Sequence, residues 1–114
     1  MLPKKYRLAK EKDFQKVFRD RKSFAGQLLI LRIRENEMDF SRFGFSVSLK
    51  ISQKAVERNK TRRQAQEAVR INLGKIKPGF DVVLIAKPES LGKGYKKIEE
   101  DLLGALRKAD LILD

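Results

Sequence analysis

The chain has 114 residues, enough for one compact domain with a modest core. Lys and Arg number 27 against 15 Asp and Glu, a formal net charge of +12 that points to a polyanionic partner, nucleic acid ahead of anionic membrane. Cys and His are both absent, which excludes disulfides, thiolate chemistry, and the commonest general base and metal ligand.

No apolar run approaches the ~18 residues of a membrane span. The basic start Met1-Leu2-Pro3-Lys4-Lys5 has no apolar segment behind it, unlike a secretory signal. A cytoplasmic protein is expected, with residues 1–114 forming a single RNA-binding domain.

Phe14, Val17 and Phe18 fall at helical spacing among charges and predict a first helix over Lys10 to Phe18, broken by Gly26. Leu28-Leu29-Ile30-Leu31-Arg32-Ile33 predicts a strand buried on both faces at its start, and Asn36 to Asp39 a hairpin loop. Arg42 to Ser48 alternates with period two, a second strand in which Gly44 marks a bulge or a close backbone approach.

A long helix is expected from Gln53 to Leu73, with Ser52 as N-cap and Gly74 just past its end. Pro78-Gly79 is a turn. Asp81 to Ala86 is a third, strongly apolar strand. Ile98, Leu102, Ala105, Leu106 and Ala109 mark a last amphipathic helix. The order α-β-β-α-β-α implies an α/β (α+β) two-layer sandwich built on one sheet.

The start of the long helix carries the densest signal. Five of the ten residues from Lys54 to Arg63 are cationic. Arg58 and Arg62 share one stripe, and Asn59, Arg63 and Arg70 form the next, with no acid placed to neutralise each Arg. Guanidinium forks match phosphate oxygens bidentately, and Asn59 offers both a donor and an acceptor to a base edge or 2′-hydroxyl. A charge run of this kind otherwise makes only a solvated face. A membrane-surface helix would need a bulky apolar face that this one lacks, so no membrane partner is expected.

The run from Ser46-Val47-Ser48 through Lys54-Ala55-Val56-Glu57-Arg58-Asn59 to Arg62-Arg63 closely resembles the signature of the bacterial ribonuclease P protein component. Arg7-Leu8 with Lys12 to Phe18, and Gly79 to Pro88, are similar to two further segments of that family in the same order. The resemblance implies the accessory subunit of a ribonucleoprotein endonuclease that matures the 5′ end of precursor tRNA. The chemistry would sit on the RNA subunit, with no catalytic residue on this chain. Magnesium would be held mainly by RNA.

By resemblance, Lys54, Arg58, Asn59, Lys60, Arg62 and Arg63 dock the catalytic RNA. Arg7, Lys12, Phe14, Phe18, Phe45 and Ser46 line a cleft for the single-stranded 5′ leader of precursor tRNA. Aromatics interleaved with cations suit a single strand, whereas aromatics at i, i+4 are more commonly core. The resemblance also implies a left-handed β-α-β crossover around the basic helix, against the general right-handed rule, and a protein that is itself monomeric.

Thr61 stands where the family usually has an aliphatic residue, Gln66 where a cation is common, and Leu31 at a strand position that often carries a cleft aromatic. The competing reading is a ribosomal or general structural RNA-binding protein, which need not keep an open groove beside Phe14 and Phe18.

Overall fold

Val82, Val83 and Leu84 are all buried, so the strand that carries them must be covered on both faces. In the computed structural model, which describes residues 2–20 and 22–113, this strand is β4 (Phe80–Ala86) and lies inside a four-stranded sheet. The other strands are β1 (Lys22–Ala25), β2 (Leu29–Glu35) and β3 (Arg42–Ser46). The order across the sheet is β1-β2-β4-β3. β2 runs antiparallel to β1 and β4, and β3 runs parallel to β4.

Three helices complete the fold: α1 (Glu11–Arg19), α2 (Ala55–Asn72) and α3 (Tyr95–Lys108). The expected α-β-β-α-β-α order is present, with the short edge strand β1 added to it. β3 and β4 are parallel neighbours joined through α2, so the basic helix sits within a β-α-β crossover.

Two expectations need correction. The loop from Asn36 to Asp39 does not close a hairpin, because β4 inserts between β2 and β3. Of the two strands flanking that loop, neither is apolar on both faces, and β4 is. Asn36 Nδ2 instead donates to the Phe40 carbonyl at 3.1 Å and to Asp81 on β4 at 2.9 Å. Ser52 is not the N-cap of the basic helix. Lys54 holds that position, and Ser52 Oγ accepts its N–H at 3.1 Å. Gly74 does follow the end of α2, within a 3₁₀ turn at Leu73–Lys75.

Strand pleating sorts the side chains onto two faces. Leu29, Leu31 and Ile33 of β2, Phe43 of β3, and Val82 and Leu84 of β4 join the main core. α2 adds Ala65, Ala68 and Val69 to that core, and α3 adds Ile98, Leu102 and Leu106. The opposite face holds a smaller cluster of Leu8, Val17 and Val83, with Phe14 and Ile85 packed against it.

Polar ties lock the layers together. The Asp101 carboxylate of α3 accepts the backbone N–H groups of Gln27, Leu28 and Leu29 at 2.8, 3.0 and 2.8 Å, fixing the β1–β2 turn. Between α2 and α3, Glu99 accepts from Asn72 Nδ2 at 2.8 Å and from the Tyr95 hydroxyl at 2.9 Å. These two bonds hold the Glu99 carboxyl below its ordinary value. Burial, with Glu99 as second cause, pushes the Tyr95 phenol up to about 12.

Candidate nucleic-acid interface

The face that α1 covers can be built row by row from strand register. One row across the sheet is Ala25, Ile30, Ile85 and Ser46. Two residues along lie Ser23, Arg32, Val83 and Gly44, and beyond them Arg34, Asp81 and Arg42. α1 crosses the second and third rows. Its Val17 is buried with Val83, and Phe14 lies directly on Gly44, where a Cβ would come within 2.5 Å of the ring. Gly44 therefore marks a close approach, which only the absence of a side chain allows.

Charge fixes α1 on the same rows. Arg42 makes a bidentate pair with Asp81 at 2.9 and 2.7 Å and reaches Asp13 of α1 at 3.5 Å. The Asp81 carboxylate, acting first through these hydrogen bonds, raises the Arg42 pKa above its ordinary value. Arg34 lies 3.7 Å from Asp20. The row left beside α1 is Ile30, Ile85 and Ser46, each half-buried. Beside α1 this half-buried strip of sheet forms a groove floored by Ile30, Ile85 and Ser46.

Phe18 sits at the edge of this groove and is 38% exposed. Arg32 stands against it: the guanidinium carbon is 5.4 Å from the ring centroid, and Nη2 donates to the Phe18 carbonyl at 2.7 Å. Its Nε is buried without a hydrogen-bond partner among the described residues. Lys12 is exposed on α1. Arg7 bridges to Phe43 at the edge of β3, and its buried Nε also lacks a partner among the described residues.

Phe14, Phe18 and Ser46 are thus brought to one face. Phe45 is not with them: it alternates with Gly44 and Ser46, shares the parity of Phe43, and packs against the main core. Leu31 is likewise fully buried on that other side, so its lack of an aromatic ring takes nothing from the groove. The β2 side chain that does face Phe18 is Arg32. Its place among Ile30, Arg32 and Arg34 was visible as alternation in the sequence, but that pattern did not say which parity faced α1.

The basic helix lies in the other layer. Thr61, Ala65, Ala68, Val69 and Asn72 form its buried stripe. Thr61 is 3% exposed, so its departure from an aliphatic residue falls in the packing. Lys54, Asn59, Lys60 and Arg63 are exposed, and Arg58, Arg62 and Gln66 are half-buried.

Arg58 donates to the Ser52 carbonyl at 2.9 Å, which leaves it aimed at the turn that precedes the helix. Arg62 donates to Asn59 Oδ1 at 2.8 Å, fixing the side-chain amide. Arg70 is not an open cation as expected. Glu67, one turn away, pairs with it, and this hydrogen-bonded partner lowers the Glu67 pKa and raises that of Arg70. The uncompensated charge is therefore concentrated in the first turns of α2.

Four acids serve internal partners: Asp13 and Asp81 hold Arg42, Asp101 holds the β1–β2 turn, and Glu99 holds α2 to α3. Among the described residues, no three His, Cys, Asp or Glu side chains are grouped to hold a metal ion. No helix among them is long and apolar enough to cross a membrane.

A basic helix on one side of the sheet, with Phe14, Phe18 and Arg32 together on the other, is the arrangement of a nucleic-acid-binding protein. Residues 2–110 match the family model described as Ribonuclease P. The ribonuclease P protein component of Alkaliphilus oremlandii is 42% identical over 106 residues, covering 93% of this chain and 92% of that protein. The one from Clostridioides difficile is 42% identical over 105 residues, covering 91% of each.

Solved structures agree. The ribonuclease P protein of Thermotoga maritima superposes with a TM-score of 0.81 at 35% identity, covering 90% of this chain and 96% of that one. The Staphylococcus aureus protein gives 0.84 at 30% identity, covering 93% and 96%. The chain belongs to the ribonuclease P protein family. It is the accessory subunit of a ribonucleoprotein endoribonuclease of tRNA 5′ processing, and its partner is RNA.

Proposed function

We propose that the chain acts as a monomeric, single RNA-binding domain that uses its two surfaces for two RNAs. The first turns of α2, with Lys54, Arg58, Asn59, Lys60, Arg62 and Arg63, dock the catalytic RNA subunit. The groove between α1 and the sheet takes the 5′ leader of precursor tRNA. Phe14 and Phe18 supply its aromatic wall, Ser46 its floor, Arg32 and Lys12 its cations, and Arg7 lies at the β3 edge.

The observation that carries this reading is the placement of Phe18 against Arg32 beside the half-buried row Ile30, Ile85 and Ser46. It is an open stacking platform with a cation attached, and a ribosomal packing protein has no need to leave it uncovered. Stacking contributes ~1–3 kcal/mol per base, and neighbouring cations follow the backbone.

Magnesium held by RNA and substrate phosphates would supply the metal chemistry of hydrolysis in the cytoplasm. This chain's part is to bind and orient the two RNAs.

The test is leader length. With the RNA subunit bound, precursor tRNA carrying a leader of about five nucleotides should bind at least about tenfold tighter than one with a single-nucleotide leader. Phe18→Ala should erase most of that difference. An affinity independent of leader length would refute the groove assignment.

A further inference from the structure

A second aromatic site lies away from both surfaces, where the N-terminal turn, the Asn36–Ser41 loop and the end of α2 meet. A hollow of about 320 Å³ is bounded there by Tyr6, Phe40, Phe43, Leu73, Ile76 and Pro78. Phe43 points to the α2–α3 side of the sheet, so the hollow is on the opposite face from the α1 groove. Leu73, just past the end of α2, lies fifteen residues on from Arg58, roughly 22 Å at the helical rise.

The walls have the character of a base pocket. Tyr6 and Phe40 meet edge to face, with centroids 6.0 Å apart and planes at 83°. Both rings are half-buried, and together they offer a corner with one ring face and one ring edge. Lys5 brings its ammonium 4.6 Å from the Phe40 centroid and 5.5 Å from that of Tyr6. Lys4 on the same turn and Lys75 beside Ile76 are exposed. Asp39, on the lining, gives an acceptor suited to an exocyclic amine.

We propose that this hollow binds one unpaired purine nucleotide of an RNA strand, the base against Tyr6 and Phe40 and the flanking phosphates on Lys4, Lys5 and Lys75. An apolar aromatic corner ringed by cations on a chain of net charge +12 complements a base on an anionic backbone better than it does an apolar peptide. The site is a third RNA contact, independent of the arginine face and of the leader groove.

Tyrosine fluorescence reads the site directly. Tyr95→Phe leaves Tyr6 as the sole tyrosine of a chain without Trp. That protein is titrated with adenosine 5′-monophosphate, with ribose 5-phosphate, and with an oligoadenylate of about five nucleotides. The mononucleotide should quench saturably and ribose 5-phosphate should not. The oligonucleotide should bind at least about tenfold tighter than the mononucleotide, because its flanking phosphates reach the lysines.

Phe40→Leu should weaken binding about tenfold. Lys5→Gln, which removes the ammonium over the two rings at an exposed position, should weaken the oligonucleotide about threefold. Any of four results overturns the proposal: no quenching, equal quenching by ribose 5-phosphate, quenching undiminished in both variants, or equal affinity for mononucleotide and strand. The last would make it a free-nucleotide site. No RNA subunit enters the assay, so its failure would leave the family assignment untouched.

Discussion

Replacing Gly44 with alanine would place a methyl carbon 2.5 Å from Cε1 and Cζ of Phe14 and 3.4 Å from Leu8 Cβ. Carbon atoms rest about 3.5–4.0 Å apart, so the ring must retreat by roughly 1 Å or more. It has little room to do so, because the same cluster holds Val17 and Val83, both fully buried. Either Phe14 leaves its rotamer or α1 lifts from the sheet. Overpacking of this kind costs about 1–3 kcal/mol, a fall in Tm of roughly 4–12 °C for a domain of this size. Thermal and urea unfolding of Gly44→Ala, Phe14→Ala and the double variant would measure it. Removing the ring vacates the space the new methyl needs, so the double variant should be more stable than the summed single costs by at least about 1 kcal/mol. Additive costs would refute the claim that Phe14 rests on Gly44. Because the disturbed helix is one wall of the groove, Gly44→Ala should also weaken leader-dependent binding while leaving affinity for the RNA subunit unchanged.

Arg42→Leu removes the only guanidinium pairing Asp81 among the described residues and strands a carboxylate that is 3% exposed. Unfolding should show a loss of about 3 kcal/mol, which Asp81→Asn in the same chain should partly restore; no loss would mean the pair is dispensable. The Tyr95 phenol, raised to about 12, can be isolated in a Tyr6→Phe variant and followed by ultraviolet titration. Its folded pKa is above the unfolded value of about 10, so the associated stability is full below that pH and lost as pH rises toward 12. Glu99 behaves in the opposite sense: its lowered carboxyl adds stability above the ordinary carboxylate range that disappears on acidification, a loss that Glu99→Gln should remove from the acid-unfolding curve. Arg58→Ala with Arg62→Ala should flatten the salt dependence of RNA-subunit binding, each lost phosphate contact reducing the log–log slope by roughly 0.7–0.9. An unchanged slope would show that the arginine face is only solvated.

Elements with a strong apolar period were legible from residues alone. Phe14, Val17 and Phe18 mark α1 to within a residue of its observed span, and Ile98, Leu102 and Leu106 mark α3, whose first residues from Tyr95 precede the first marker. β1 was not legible. Lys22, Ser23 and Ala25 are exposed and only Phe24 is partly covered, so this edge strand carries no alternating signal. Sheet order was hidden for a different reason: the sequence shows that β4 is apolar on both faces, but not which strands flank it.

Face assignment failed at Phe45 and Leu31 because period two gives parity without saying which parity meets α1. Only the Phe14–Gly44 contact and the placement of Val83 decide that. The same ambiguity concealed Arg32. The Glu67–Arg70 pair, at i, i+3, could have been read from spacing. The family signature at Arg58-Asn59 and Arg62-Arg63 named the partner, while the geometry of the groove required the fold.

Reconstituted cleavage reads both RNA surfaces at once. The chain is mixed with a bacterial ribonuclease P RNA and labelled precursor tRNA at near-physiological magnesium, and cleavage at the mature 5′ end is timed with and without protein. Two working surfaces should give a clear enhancement that Arg58→Ala with Arg62→Ala reduces by weakening assembly and Phe18→Ala reduces by weakening substrate binding in the assembled enzyme. Cleavage no faster with the protein than without it would rule out both surfaces as working RNA contacts.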